Sequence, residues 1–194
     1  MSTLEDGKGG GKSAQVDDQN RLRTHSVTES EALHSSEEGK AFNINTGLIS
    51  ITADATLLYI KNTEDADLVI EAVALGSFEG ISHSDDPYIT LVRNPTGGDL
   101  ISDATAVSMN QNRNFGSSRT LDASVYKGKV GGTVTGGDDL AILQATPGGR
   151  SFYSIDFIVP KNSSMAVKLT ANITSGSANW YCAAIVYVKD DTKD

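Results

Sequence analysis

The sequence holds one cysteine in 194 residues, Cys182. A single thiol rules out an internal disulfide and any cysteine-based zinc site, so packing rather than cross-linking must hold the chain together. Cys182 lies in an apolar run and is predicted to be a small buried hydrophobe. Positive charge is also scarce: 16 Lys and Arg stand against 25 Asp and Glu, a net charge of −9. Nucleic acid and anionic membranes are gripped by clustered Lys and Arg, and this balance excludes both as non-specific partners. No apolar run is long enough to cross a bilayer. The start, Met1-Ser2-Thr3-Leu4-Glu5-Asp6-Gly7, has neither the basic region nor the apolar stretch of a secretion signal, so a cytoplasmic origin is expected.

Chemistry-bearing patterns are missing too. His25, His34 and His83 are far apart and have no cysteine or regularly spaced carboxylate beside them, so no metal site is predicted. The pairs Asp17-Asp18, Asp85-Asp86 and Asp138-Asp139 lack calcium-loop spacing and read as solvated turn charge. Gly11-Lys12-Ser13 ends like a phosphate-binding loop, but Asp6 stands where that motif needs its first glycine. No Gly-x-Ser-x-Gly elbow surrounds a serine. The expectation is therefore no enzyme, no catalytic residue and no cofactor.

What the sequence does have is alternation. Leu140–Ala145, Ser151–Val159, Met165–Ile173 and Asn179–Val188 carry strand signals, and in Ser151–Val159 and Met165–Ile173 they take a period of two, the mark of half-buried antiparallel strands. Thr146-Pro147-Gly148-Gly149, Pro160-Lys161-Asn162-Ser163 and Thr174-Ser175-Gly176 connect them as turns. Further upstream, strands are predicted at Ala55–Asn62, Asp67–Leu75, Tyr88–Arg93 and Leu121–Tyr126, with a polar, Asn-rich loop at 110–118 and a helical turn near Asp103–Val107. The sum is an all-β protein, an antiparallel β-sandwich or jelly roll of about eight strands over residues 41–194.

Residues 1–40 differ. They are Gly-, Lys- and Ser-rich at first, short of large apolar groups, and cannot bury a core of their own. They are expected to be an extended or disordered arm, with a short helix where Thr28 and Glu31 fall at capping-box spacing. At the other end, Asn179–Val188 is apolar on both faces over Ala183–Val186, and such a strand needs cover from a second sheet or another subunit. Trp180, Tyr181, Ala183 and Ala184 are the candidate subunit-interface residues, and a homo-oligomer is expected.

One combination is more specific. Gly11-Lys12, Val16-Asp17, Asn20-Arg21-Leu22-Arg23-Thr24-His25-Ser26-Val27 and Glu38-Gly39-Lys40-Ala41-Phe42-Asn43 lead into Leu57-Leu58-Tyr59-Ile60-Lys61-Asn62. This resembles the opening of a group of small tailed-bacteriophage virion proteins, in which a V-D-x-x-N-R-L-x-T-x-S-V arm and a G-x-A-F start precede an all-β domain. The resemblance implies a homo-oligomeric jelly-roll protein, a trimer by the habit of such folds, with no catalytic residues. It is then a decoration (cement) protein of the head, made in the host cytoplasm and carried in the virion. Its arm, through Val16, Arg21, Leu22, Arg23, Val27 and Leu33, would hold the major capsid protein or another virion protein. Two alternatives stand beside this: a neck, baseplate or tail-fibre-associated virion protein, and a carbohydrate-binding module stacking sugars on Tyr88, Trp180 or Tyr181.

Overall fold

The computed structural model describes residues 2–5, 13–16, 22–23, 30–78, 82–98, 105–107, 111–128 and 132–189. It has two compact units, Met1–Ser30 and Glu31–Asp194. The smaller contains β1 (Ser2–Glu5), β2 (Ser13–Val16) and β3 (Leu22–Arg23), antiparallel and in that spatial order. Part of the predicted arm is thus paired strand.

The larger unit opens with α1 (Glu31–Glu37), which takes in the residues before 41 that the sequence assigns to the arm. The helix stops at Gly39, whose φ of 71° is the left-handed region that a residue without Cβ enters freely. There the Gly39 amide donates to the Ser36 carbonyl and the Lys40 amide to that of Ser35, closing the last turn. The helix lies on the sheet behind it, with Ala32 against Ala41, Val69 and Tyr187.

The strands that follow are β4 (Ala41–Asn45), β5 (Ile49–Ile51), β6 (Ala55–Asn62), β7 (Leu68–Phe78), β8 (Ser82–His83), β9 (Tyr88–Arg93), β10 (Gly97–Gly98), β11 (Thr105–Ala106) and β12 (Ala123–Lys127). After them come β13 (Val134–Thr135), β14 (Asp138–Gln144), β15 (Arg150–Val159), β16 (Ser164–Thr170), β17 (Ile173–Ser175) and β18 (Ala178–Val188). Eight of these carry the fold: β4, β6, β7, β9, β14, β15, β16 and β18. In chain order the first pairs with the last, β6 with β16, β7 with β15, and β9 with β14, all antiparallel. Nested pairing of that kind is a long two-stranded ribbon rolled up on itself, which is a jelly roll. Rolling yields a six-stranded sheet, β11-β12-β6-β16-β9-β14, facing a five-stranded one, β15-β7-β18-β4, with β5 also on β18.

The core lies between the sheets. Leu58, Ile60, Ile89, Leu91, Met165, Val167 and Leu169 meet Phe42, Ile44, Ile70, Val73, Leu75, Trp180, Cys182 and Val186 there. Alternation accounts for this: every second residue of β18 from Ala178 to Val188 is buried. Asn62, fully buried, ties one end of the sandwich by donating to the Val159 carbonyl at 2.8 Å and the Ala66 carbonyl at 2.9 Å.

Two local expectations give way. Of the helical turn expected near Asp103–Val107, Thr105–Ala106 form β11 instead, Thr105 opposite Lys127 and Ala106 opposite Tyr126, because ladder pairing outweighs a weak local preference, while Asp103 and Ala104 lie outside the described residues. The run predicted from Met165 to Ile173 is cut at Thr170, since Asn172 takes a left-handed φ of 52° and sends Ile173–Ser175 to pair with β8.

Candidate interaction surface

The outer face of the five-stranded sheet is built from the residues that alternate with the core set. Register lines them up across strands: Arg150, Gly76 and Tyr181 form one row, Phe152, Ala74, Ala183 and Asn45 the next, and Ser154, Ala72, Ile185 and Asn43 a third. The two middle strands therefore contribute mostly small residues, and the outer ones contribute the Phe152 ring on one side and an amide wall on the other. Phe152 stands on one side of a shallow groove of about 370 Å³, with Asn43, Asn45 and Gln111 on the other and Ala74 and Ala183 in its floor.

At one end the surface is aromatic. The Tyr181 ring lies over Gly76, where an added Cβ would sit 2.3 Å from a ring carbon, so glycine is what lets the ring lie down. Phe78 leans on it, ring centroids 6.4 Å apart at 41°. Phe78 and Phe152 remain 58% and 64% exposed. At the other end α1 covers the sheet, and the surroundings turn acidic. The Tyr187 hydroxyl is held above its ordinary pKa, first by burial and then by the carboxylates of Glu31, Asp156 and Glu71. Glu71 in turn faces Arg113 at 3.6 Å.

The opposite broad face of the sandwich is largely covered. Tyr59, Val92 and Ala166 on the six-stranded sheet are buried beneath Val134 of the β10–β13 ribbon, whose amide donates to Thr56 Oγ1 at 2.9 Å. Tyr126 stacks on Tyr59 with centroids 6.0 Å apart.

Of the predicted subunit-interface residues, Trp180 and Ala184 point into the chain's own core, while Tyr181 and Ala183 lie on the outer face just described. Part of the cover that β18 was expected to need from elsewhere comes from α1 at Tyr187. Among the predicted arm residues, Val16 sits opposite both Ser2 and Leu22, and Arg23 opposite Gln15. Arg21 and Val27 lie outside the described residues, and Leu33 is exposed on α1. Of the aromatics carrying the sugar-binding alternative, Tyr181 alone is on this face, since Trp180 is buried and Tyr88 pairs within the other sheet. Phe78, Phe152 and the amide wall were not anticipated. The alternation held a signal for Phe152, which falls in the opposite phase to Tyr153, Ile155 and Phe157 along β15.

Among the described residues no group of three or more His, Cys, Asp and Glu side chains could hold a metal ion. His34 pairs with Glu38 at 3.2 Å, Asp138 with Arg93 at 2.6 Å, and Asp86 accepts from Gln144 at 3.3 Å. What this face offers is contact area rather than reactive groups. No protein-family model matches the chain, and no curated protein is significantly similar to it.

Proposed function

We propose that the chain is a non-enzymatic structural protein of a tailed-bacteriophage virion, a decoration (cement) protein that binds the head surface and stabilises it. The observation that carries this reading is the outer face of the five-stranded sheet. Phe78 and Tyr181 pack together at one end of this face, and Phe152 lines an open groove floored by small residues, a shape suited to a protein surface rather than to an enclosed small molecule. Burying Phe78 and Phe152 in a contact stabilises it by about 1 to 2 kcal/mol each, given how much of each is already covered. The sequence motifs of residues 11–62 support the same role, with the Met1–Ser30 unit as an attachment arm. The protein is then a homo-oligomer, and its partner is the major capsid protein.

Cryo-electron microscopy of purified particles is the test. Regular density over the whole head supports the reading. Density confined to one vertex or to the tail overturns it in favour of a neck, baseplate or fibre-associated protein. A glycan array that returned a strong ligand would favour the carbohydrate-binding alternative.

A further inference from the structure

A jelly roll has two lateral edges at which its core must be closed. Along one edge this chain closes it fully. Phe42 and Ile44 of β4, and Ala123 and Val125 of β12, are at most 5% exposed. The β4 ladder is continued by the loop at 111–113, where the Asn43 amide donates to the Gln111 carbonyl and the Arg113 amide to that of Ala41, both at 2.9 Å. β12 is flanked by β11.

The opposite edge, formed by β14 and β15, is open. Among the described residues each strand has a single ladder partner, β9 for one and β7 for the other. Leu143, Tyr153, Ile155 and Phe157 face the core as Phe42 does, yet are only partly buried. Around them Leu140, Ile142 and Ile158 are 40%, 67% and 54% exposed. A hollow of about 360 Å³ opens between Leu140, Phe157, Ile158, Pro160 and Met165.

We propose that this open edge is where the chain packs against a second copy of itself, about a two-fold axis. The inference rests on the reading of the chain as a self-associating structural protein and supplies its contact. Area is the first reason. With whole side chains of up to about 200 Å², the exposed parts of Leu140, Ile142 and Ile158 come to about 320 Å². A stable pair of proteins buries about 800 Å² on each partner, a little over half of it apolar, or about 450 Å². The edge supplies most of that apolar share, and the partly buried Leu143, Tyr153, Ile155 and Phe157 lie along the same strip.

The backbone is the second reason, because it disfavours an added peptide strand. The β14 register slips between Asp139 and Ala141, leaving Leu140 as a bulge. The β15 register slips between Ser154 and Phe157, where Asp156 takes a φ of 47°. Both ladders are interrupted mid-strand, so an incoming strand finds no long run of free amides and carbonyls. Side-chain packing by a folded partner remains. Charge is the third reason. Exposed Arg150 stands at one end of the edge and exposed Asp139 at the other. Rotating a copy by a half-turn brings each Arg150 toward the other's Asp139, so the edge is complementary to itself.

The full-length chain, sedimented at about 100 µM, lies above the micromolar Kd that an interface of this size reaches even when weak. A dimer is expected. Ile142→Asp and Ile158→Asp change exposed side chains and leave the core intact; each should weaken association at least about 100-fold. Phe78→Ser, on the outer sheet face, should leave the dimer unchanged. Arg150→Asp should weaken it, and adding Asp139→Arg should restore it. As a reading free of mutation, hydrogen exchange of the native chain should slow at 138–144 and 150–159 as concentration rises. A monomer or trimer in solution, or a dimer indifferent to the Ile142 and Ile158 changes, overturns the edge contact. None of these results bears on where the protein sits on a particle, which the microscopy decides separately.

Discussion

Asn112→Ala tests what closes the β4 edge. Asn112 is nearly buried, and its Nδ2 donates to the Gly39 carbonyl at 2.7 Å and the Arg119 carbonyl at 3.1 Å. Its Oδ1 accepts from the Asn114 amide at 2.9 Å. One side chain thus fastens the end of α1, the Asn-rich loop and the approach to β12 together. Each bond of this kind is worth about 1 kcal/mol net, and alanine also leaves the Gly39 and Arg119 carbonyls without that donor. The expected loss is therefore about 2 to 4 kcal/mol. For a unit of this size that lowers Tm by roughly 5 to 15 °C. The sole tryptophan, Trp180, is fully buried and reports unfolding directly by fluorescence in urea. Asn114→Ala, which removes exposed bonds to the Glu37 carbonyl and the Gly116 amide, is the control at about 1 kcal/mol or less. Hydrogen exchange should also speed up at Ala41 to Asn43, whose ladder the loop continues. A loss under about 0.5 kcal/mol for Asn112→Ala would refute the claim that this loop is a fastening rather than a cover.

Three further outcomes follow from the packing. Burial pushes the Cys182 thiol up, so the folded state keeps its proton where the unfolded thiol loses it above about pH 8.5. Stability from this group is complete below that pH and falls above it by about 1.4 kcal/mol per pH unit; urea titrations should show Cys182→Ala flattening the slope between pH 8.5 and 10. Gly76→Ala places a methyl where the Tyr181 ring lies, so the ring must swing off the sheet, costing about 1 kcal/mol and changing the near-ultraviolet circular dichroism; an unchanged spectrum contradicts the geometry. Removing residues 1–30 should leave the unfolding midpoint of the larger unit in place. Removing 1–40 uncovers Ala41, Val69 and Tyr187 and deletes the bond from the Val188 amide to the Lys40 carbonyl, so calorimetry should show a loss of about 2 to 3 kcal/mol.

The sandwich was legible because its signal is local. Met165, Val167 and Leu169 alternate with Ala166 and Lys168 in the sequence just as they do about the β16 sheet plane. A short helix was expected in this region too, but α1 starts at Glu31, so the Thr28–Glu31 spacing marked its neighbourhood and not its first turn. What stayed hidden depends on partners distant in the chain. Which end of the alternation in Asn179–Val188 faces inward is fixed by pairing with β7 and β4, and the period alone left Trp180 and Ala184 grouped with Tyr181 and Ala183. The exposure of Leu140 and Ile158 depends on β14 and β15 being the outermost strands of their sheets, which no window of sequence states. Bulges hide too: Asp156 reads as an ordinary polar position until its left-handed backbone is seen.

The nested pairing has a consequence for how the molecule comes into being. β18 follows every other described strand in the chain, yet it lies in the middle of its sheet, between β7 and β4. The bond from the Cys182 amide to Thr46 Oγ1 joins residues 136 positions apart. Until β18 arrives, β4 and β7 have no common neighbour and each presents a bare ladder to solvent. Little of this domain can therefore fold while it is being translated, and loop closure over such separations is slow, on the order of milliseconds to seconds. Nascent chains waiting with paired-strand surfaces uncovered are the species most prone to clump. Loss of a few residues near Val188 would then cost far more soluble protein than the lost contacts suggest, because it withdraws the strand that makes two half-sheets into one.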